Sequence, residues 1–251
     1  MRNLLEIIYG RNAVYEAIRA GRRRFTDLLV AEGVHESEAI ARILELAEKR
    51  SLAVKRVPRR QLDQLGDVNH QGVAAQVGLY PYAELEDMLR LAQERQEMPF
   101  LLLLDCLQDP QNLGTLLRTA EVVGVHGVVI PRHRAAEITP AVSTASAGAV
   151  EHLLVAQVAN LVRTMGELKE KGVWIVGLET LPEAQDYREA RLDMPLALVV
   201  GSEGQGLGRL VRENCDLWIQ LPMRGKVDSL NASVAGSIAL YEAWQQRARA
   251  K

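Results

Sequence analysis

Leu196-Ala-Leu-Val-Val200 runs directly into Gly201-Ser-Glu203-Gly-Gln-Gly206-Leu-Gly208, and this junction decides the fold class. Five consecutive apolar residues read as a strand covered on both faces, the pattern of a parallel sheet. Four glycines in the next eight residues let the backbone turn tightly and approach a ligand closely. The loop is not a phosphate cradle. No Gly-Lys-[Ser/Thr] follows it, it fits the dinucleotide pattern G-x-G-x-x-G at no register, and Glu203 would repel a pyrophosphate. A carboxylate in a glycine loop suits a cationic or hydroxyl-bearing ligand, such as a sulfonium or an amino acid moiety.

Two further runs share this placement where a strand gives way to a helix: Asp109-Pro-Gln-Asn112-Leu-Gly-Thr-Leu-Leu-Arg118 and Leu221-Pro-Met223-Arg-Gly-Lys-Val-Asp-Ser229-Leu230-Asn231. Open α/β sheets build ligand sites along that edge, so the three runs read as one pocket. Around them, strands are expected at 100–105, 127–130, 173–178, 197–200 and 217–221. Helices fit between at 112–123, 140–149, 160–171, 207–214 and 232–247. That alternation implies an α/β fold with a parallel sheet. Residues 1–78 read as a smaller α/β domain with helices at 12–20 and 36–50 and strands at 27–31, 52–57 and 72–77. The charged stretch 79–98, bounded by Pro81 and Pro99, reads as a helical linker, and 99–251 as the second domain.

With 251 residues and 48% hydrophobic composition, two domains with real cores are expected. No apolar run approaches the length of a membrane span, and Glu6 interrupts any secretory core, which points to a soluble cytoplasmic protein. Cys106 and Cys215 stand alone, with no Cys-x-x-Cys and no histidine pair, so neither a disulfide framework nor a metal site is expected. His126, His133 and His152 are scattered and read as structural or surface residues. A net charge of −2 excludes a broad positive field. Any RNA contact must come from local runs: Arg22-Arg23-Arg24, or Lys55-Arg56 with Arg59-Arg60.

Each run also has a purely structural reading. Asn112 could cap the helix that carries Arg118, and Arg118 could pair with Glu121. Ser229 and Asn231 could cap the last helix, although one helix start needs one cap and Asp228, Ser229 and Asn231 compete for it.

At these residues the chain resembles the TrmH-like branch of the SPOUT methyltransferases, and the similarity covers nearly its whole length. Tyr9-Gly-Arg-Asn-Ala-Val-Tyr-Glu-Ala17 and Asn69-His-Gln-Gly-Val73 are similar to the L30e-like substrate domain of the subgroup that modifies a guanosine of 23S ribosomal RNA. The resemblance implies a C-terminal deep trefoil knot over about 196–231 and a homodimer with its site at the subunit interface. It also implies S-adenosylmethionine, held by Gly201, Leu221, Met223 and Leu230. Asn112, Arg118, Glu203, Ser229 and Asn231 become the expected catalytic set, with Asn112 orienting Arg118 or the ribose. The residue matching Arg118 is the family's assigned base, yet a guanidinium stays protonated in proteins. Gripping a substrate phosphate and stabilising charge on the 2′-oxygen suits it better. Arg22, Arg23 and Arg24 are the expected RNA contacts. A transfer RNA ribose methyltransferase, and from another class a catalytically silent RNA-binding protein, are the alternatives.

Overall fold

The computed structural model describes residues 5–35, 37–133 and 135–249. It divides into two units: the chain up to Pro81 together with Ile138–His152, and Tyr82–Glu137 together with the chain from Leu153.

The first unit contains β1 (Leu5–Tyr9), α1 (Arg11–Ala20), β2 (Phe25–Ala31), α2 (Glu38–Lys49), β3 (Val54–Val57), α3 (Arg59–Asp63) and β4 (Val73–Gly78). The sheet order is β1-β4-β2-β3, with β4 antiparallel to both neighbours and β2 parallel to β3. Helix α2 shows why the local sequence folds this way. The Ser37 hydroxyl accepts from Ile40 N at the helix start, and Ile40, Ile43 and Ala47 fall on one buried stripe. With Val14 and Ile18 of α1 they cover Leu28, Val30, Val73 and Val77 of the sheet.

The second unit begins with α4 (Leu85–Glu94), followed by β5 (Phe100–Leu104), α5 (Pro110–Val122) and β6 (Gly127–Pro131). Next comes α6 (Pro140–Ala145), which belongs to the first unit. The chain then continues in the second unit through β7 (Val155–Val158), α7 (Leu161–Glu170), β8 (Trp174–Leu178), β9 (Gln185–Asp186) and β10 (Leu196–Val200). It ends with α8 (Arg209–Glu213), β11 (Leu217–Gln220) and α9 (Ala232–Arg249). The seven strands are ordered β7-β6-β5-β10-β8-β11-β9, with parallel pairing throughout. Strand β10 is central, with Leu198 opposite Leu102 on one side and Val176 on the other. All five of its residues are buried, as a continuous apolar run in such a sheet requires.

Three sequence expectations change in the structure. The charged stretch expected as a linker contains a packed helix: Leu85 and Met88 of α4 lie in the second core, and a Cβ at Gly127 would stand 2.2 Å from the Met88 side chain. The single helix expected over 140–149 stops at Ala145, and a 3-10 turn follows at Ala149–His152. Strands β1, β7 and β9 and helix α3 were not expected, because each is short or carries charged residues that mask its period.

The third change concerns Arg23, expected as an RNA contact. Its side chain is fully buried, with Nε 2.8 Å and Nη2 3.0 Å from the two Glu151 carboxylate oxygens and Nη1 2.7 Å from Glu6. The Ser143 hydroxyl donates to Glu151 at 2.9 Å. Arg22 donates to the Pro81 carbonyl at 3.1 Å and lies over the Tyr80 ring. Of the triplet only Arg24 is exposed. Arg23 instead ties residues 138–152 to the N-terminal sheet.

Replacing Arg23 by Met strands a buried carboxylate, and we expect a loss of about 3–5 kcal/mol in urea unfolding. Arg23→Met combined with Glu151→Leu should recover much of it. His126 is buried, its Nδ1 accepting from Phe100 N at 3.0 Å and its Nε2 lying 3.1 Å from Glu97. Burial holds its pKa below the ordinary value against the opposing pull of Glu97. Its contribution is therefore present above the unfolded pKa of about 6.5 and lost as pH falls. The acid limb of a stability profile should flatten in His126→Gln.

Candidate active site

The loop after β10 is closed by its own backbone: Ser202 N donates to Gly206 O at 3.1 Å and Gly206 N to Ser202 O at 3.0 Å. A Cβ at Gly201 would stand 2.3 Å from Gly206 backbone atoms, so only glycine fits there. Gly206, at φ 64°, faces Glu179. Two carboxylates just past the ends of β5 and β8, the strands that flank β10, pin the exit. Glu179 Oε2 accepts from Leu207 N at 2.8 Å, and Asp105 Oδ2 from Gly208 N at 2.7 Å.

At the start of α9, Asn231 Oδ1 accepts from Ser233 N at 2.9 Å and Val234 N at 3.3 Å. Asn231 is therefore the cap, and Asp228 and Ser229 are left facing the cavity. At α5 the cap is Asp109, whose carboxylate accepts from Gln111 N at 3.1 Å, with Pro110 in the first turn. This corrects the expectation that Asn112 caps the helix. Asn112 lies three residues inside, buried, with its amide free for longer-range partners.

Those partners are the other two loops. The amide nitrogens of Asn112 and Asn231 both donate to Glu203 Oε1, and Asn231 Nδ2 also donates to Asn112 Oδ1 at 3.0 Å. The buried Ser233 hydroxyl completes the junction, 2.6 Å from Asn231 Oδ1 and 3.1 Å from Asn112 Oδ1. Three runs separated in the chain thus converge through their side chains, as their shared position at the sheet edge implied.

Beside the junction is a cavity of about 480 Å³. Gly201, Leu221, Met223 and Leu230, the four residues expected to hold a cofactor, all lie on its wall, as do Glu203, Ser229 and Asn231. Leu178, Val200, Leu221 and Leu230 offer apolar surface to a flat ring. Glu179, Glu203 and Asp228 line it, and among the described residues no Lys, Arg or His does. An apolar slot with three carboxylates and no cation fits a nucleoside that carries a sulfonium and an ammonium.

Arg118 is placed elsewhere. It is exposed, does not line the cavity, and makes no hydrogen bond or ion pair with a described residue, Glu121 included. Six positions along an α-helix turn the side chain about 120° away and shift it about 9 Å from Asn112. The expectation that Asn112 orients Arg118 is therefore corrected: Asn112 is bound to Glu203, Asn231 and Ser233. Sequence reasoning missed Asp105, Glu179 and Ser233. The first two carried a usable signal, each being an acidic residue directly after an apolar parallel strand, at the edge where loops are pinned.

Residues 99–241 match the family described as SpoU rRNA Methylase family, and residues 7–83 match RNA 2′-O ribose methyltransferase substrate binding. A TrmH family tRNA/rRNA methyltransferase of Bacillus subtilis (strain 168) is 49% identical over 242 residues, 96% of each chain. A crystal structure described as an RNA 2′-O ribose methyltransferase superposes with a TM-score of 0.78 at 27% identity, covering 98% of this chain and 90% of that one. The SpoU methyltransferase AviRb from Streptomyces viridochromogenes shares the fold, with a TM-score of 0.80 at 24% identity over 98% and 91% of the two chains.

Gly201→Ala should weaken S-adenosylmethionine binding by at least roughly tenfold in titration calorimetry, because the atoms it meets are backbone and the loop must move. Unchanged affinity would show that the cavity wall is set elsewhere.

Proposed function

This chain belongs to the SpoU rRNA methylase family and is an S-adenosylmethionine-dependent RNA 2′-O-methyltransferase; from that premise we propose that it acts on a guanosine of 23S ribosomal RNA. The observation that carries the reading is the Asn112–Glu203–Asn231 junction beside a cavity lined by carboxylates. The preference for ribosomal over transfer RNA rests on the N-terminal unit, whose Tyr9–Ala17 and Asn69–Val73 runs resemble the L30e-like substrate domain. RNA rather than DNA follows from the reacting group, since only RNA offers a 2′-hydroxyl.

S-adenosylmethionine supplies an electrophilic methyl group on a positively charged sulfur. The protein's part is to hold a poorly nucleophilic hydroxyl in line with it and to favour its loss of a proton. Glu203 is occupied by two amide donors, which makes it the organiser of the glycine loop. Ser229, exposed on the cavity wall, is positioned to hydrogen-bond the hydroxyl. Asn231 couples the cavity to α9, and Asn112 fixes Asn231. Arg118, cationic and outside its own chain's cavity, supplies the phosphate grip and the charge that stabilises the 2′-oxygen. An arginine displayed on the exposed face of α5 is what a site shared between two copies needs, and this supports a homodimer. Insertion of β10 between β5 and β8, with the loop after β10 and the run after β11 meeting at one junction, supports a trefoil knot over about 196–231. None of the helices among the described residues is long and apolar enough to cross a membrane, which agrees with a cytoplasmic enzyme.

Incubation with radiolabelled methyl donor should label unmodified 23S RNA and not transfer RNA, the label appearing in an alkali-resistant dinucleotide that contains guanosine. Label in transfer RNA alone would transfer the assignment to the other substrate. Arg118→Lys should lower turnover by about 10²-fold while leaving S-adenosylmethionine affinity unchanged. Near-full turnover with an unshifted pH–rate profile would remove Arg118 from the proposed role.

A further inference from the structure

The two runs that resemble the substrate domain, Tyr9–Ala17 and Asn69–Val73, meet in the first unit and line one cavity of about 520 Å³ with residues from two other places in the chain. Its wall includes Arg11 and Asn12 at the start of α1, His35 after β2, Arg59 at the start of α3 and Gln71 in the turn before β4. We propose that this cavity is a contact site for the sugar-phosphate backbone of the RNA, an inference that rests on the RNA substrate argued above.

The cavity is built around Arg11. Gly10 has no side chain to cap α1, and Gln71 takes that role from 60 residues away, its Oε1 accepting from Arg11 N at 3.0 Å. Gln71 holds a left-handed backbone, φ 53°, to do so, followed by Gly72 at φ 81°. A Cβ at Gly72 would stand 2.5 Å from Val34, so the turn is also pressed against the loop that carries His35. The guanidinium itself is fixed at two nitrogens: Nε donates to the Gln71 carbonyl at 3.2 Å and Nη1 to the Ser37 hydroxyl at 3.1 Å. Its Nη2 has no partner among the described residues. Such a fork, held in place and still able to donate, is preorganised for a phosphate oxygen.

Arg59 supplies a second cation. It is exposed and makes no hydrogen bond or ion pair with a described residue. Elsewhere in this unit Arg23 is engaged with Glu6 and Glu151 and Lys55 with Asp27 at 2.8 Å, while Arg24 and Arg60 are exposed but do not line the cavity. No described residue on the cavity wall is acidic. In a chain of net charge −2, two guanidinium groups with no carboxylate partner among the described residues, around one concavity, make a local positive site. Asn12, His35 and Gln71 add side chains that can hydrogen-bond ribose hydroxyls or base edges, which phosphate alone would not need.

The test uses the full chain with saturating S-adenosylmethionine and an unmodified 23S RNA transcript, followed by filter binding across a salt series. Arg59→Glu and Arg59→Gln leave the Arg11 bonds untouched and are not expected to disturb folding; Arg11→Lys keeps the charge and removes the fork. Binding should weaken roughly tenfold for Arg59→Gln and more for Arg59→Glu, and the log–log salt slope should fall by about 0.7–0.9 for the lost phosphate contact. S-adenosylmethionine affinity should not change. Lys49→Glu, on an exposed position of α2 paired with Glu45, is the control for net charge. RNA affinity within about twofold of the unsubstituted chain in Arg59→Glu, or an equal loss in Lys49→Glu, would overturn the proposal. So would Arg59-dependent binding of inorganic phosphate or a mononucleotide with no effect on RNA. RNA binding that depends on Arg59 in a chain that methylates no RNA would keep this site and overturn the substrate reading, so the two failures are distinguishable.

Discussion

One carboxylate oxygen, Glu203 Oε1, receives amide donors from residues 91 and 28 positions away in the chain. Asn112 stands at the start of one helix, Asn231 at the start of another, and Glu203 in the glycine loop that joins β10 to α8. None of these three segments has a local reason to be where it is. The carboxylate accepts while both amides donate, so the donor and acceptor inventory closes only when all three are present. Ser233 beneath them adds a hydroxyl that finds only acceptors, Asn112 Oδ1 and Asn231 Oδ1, and so tightens the same junction.

The loop's other attachments follow the same chemistry. Asp105 and Glu179, each just past the end of an apolar strand, use carboxylates to fix the backbone N–H groups of Gly208 and Leu207. The glycines earn their places by close approach as well as by turn geometry. Gly201 has backbone where a Cβ would be, and Gly206 has Glu179 there. The result is an acidic wall, which suits a positively charged methyl donor, with no basic residue on it among the described residues.

In the first unit the corresponding constraint is a buried ion pair. Arg23 satisfies all three of its nitrogens on Glu6, Glu151 and nearby oxygens, and so holds a segment more than a hundred residues distant in the chain against the N-terminal sheet. A bidentate pair of this kind contributes modestly to net stability but is costly to break, so it acts as a specification of which segments belong together. Residues 138–152 interrupt the second unit in sequence and complete the first in space.

Much of this was legible in the residue pattern. The apolar runs of β5 and β10 identified a parallel sheet, the glycine and cap residues located the three loops, and the edge rule placed them together, all because side-chain period and backbone permissiveness are local properties. The residues of the cavity wall, Gly201, Leu221, Met223 and Leu230, came instead from the family resemblance; Gly201 and Leu221 directly follow β10 and β11, while Met223 and Leu230 lie in the run between β11 and α9. What a charged side chain pairs with is not local. Arg23 and Arg24 are adjacent and identical in type, yet one is sealed against two carboxylates and the other faces solvent. Arg118 and Asn112 lie on one helix, yet the helical twist separates them. Asn231 won the capping position from Ser229 through backbone geometry that composition does not record. By itself, then, the sequence determined the element types, the parallel core and the edge that carries the chemistry. Only the tertiary structure decided which polar groups meet there, because hydrogen bonds and ion pairs are selected by distances across the fold and by what burial leaves unsatisfied.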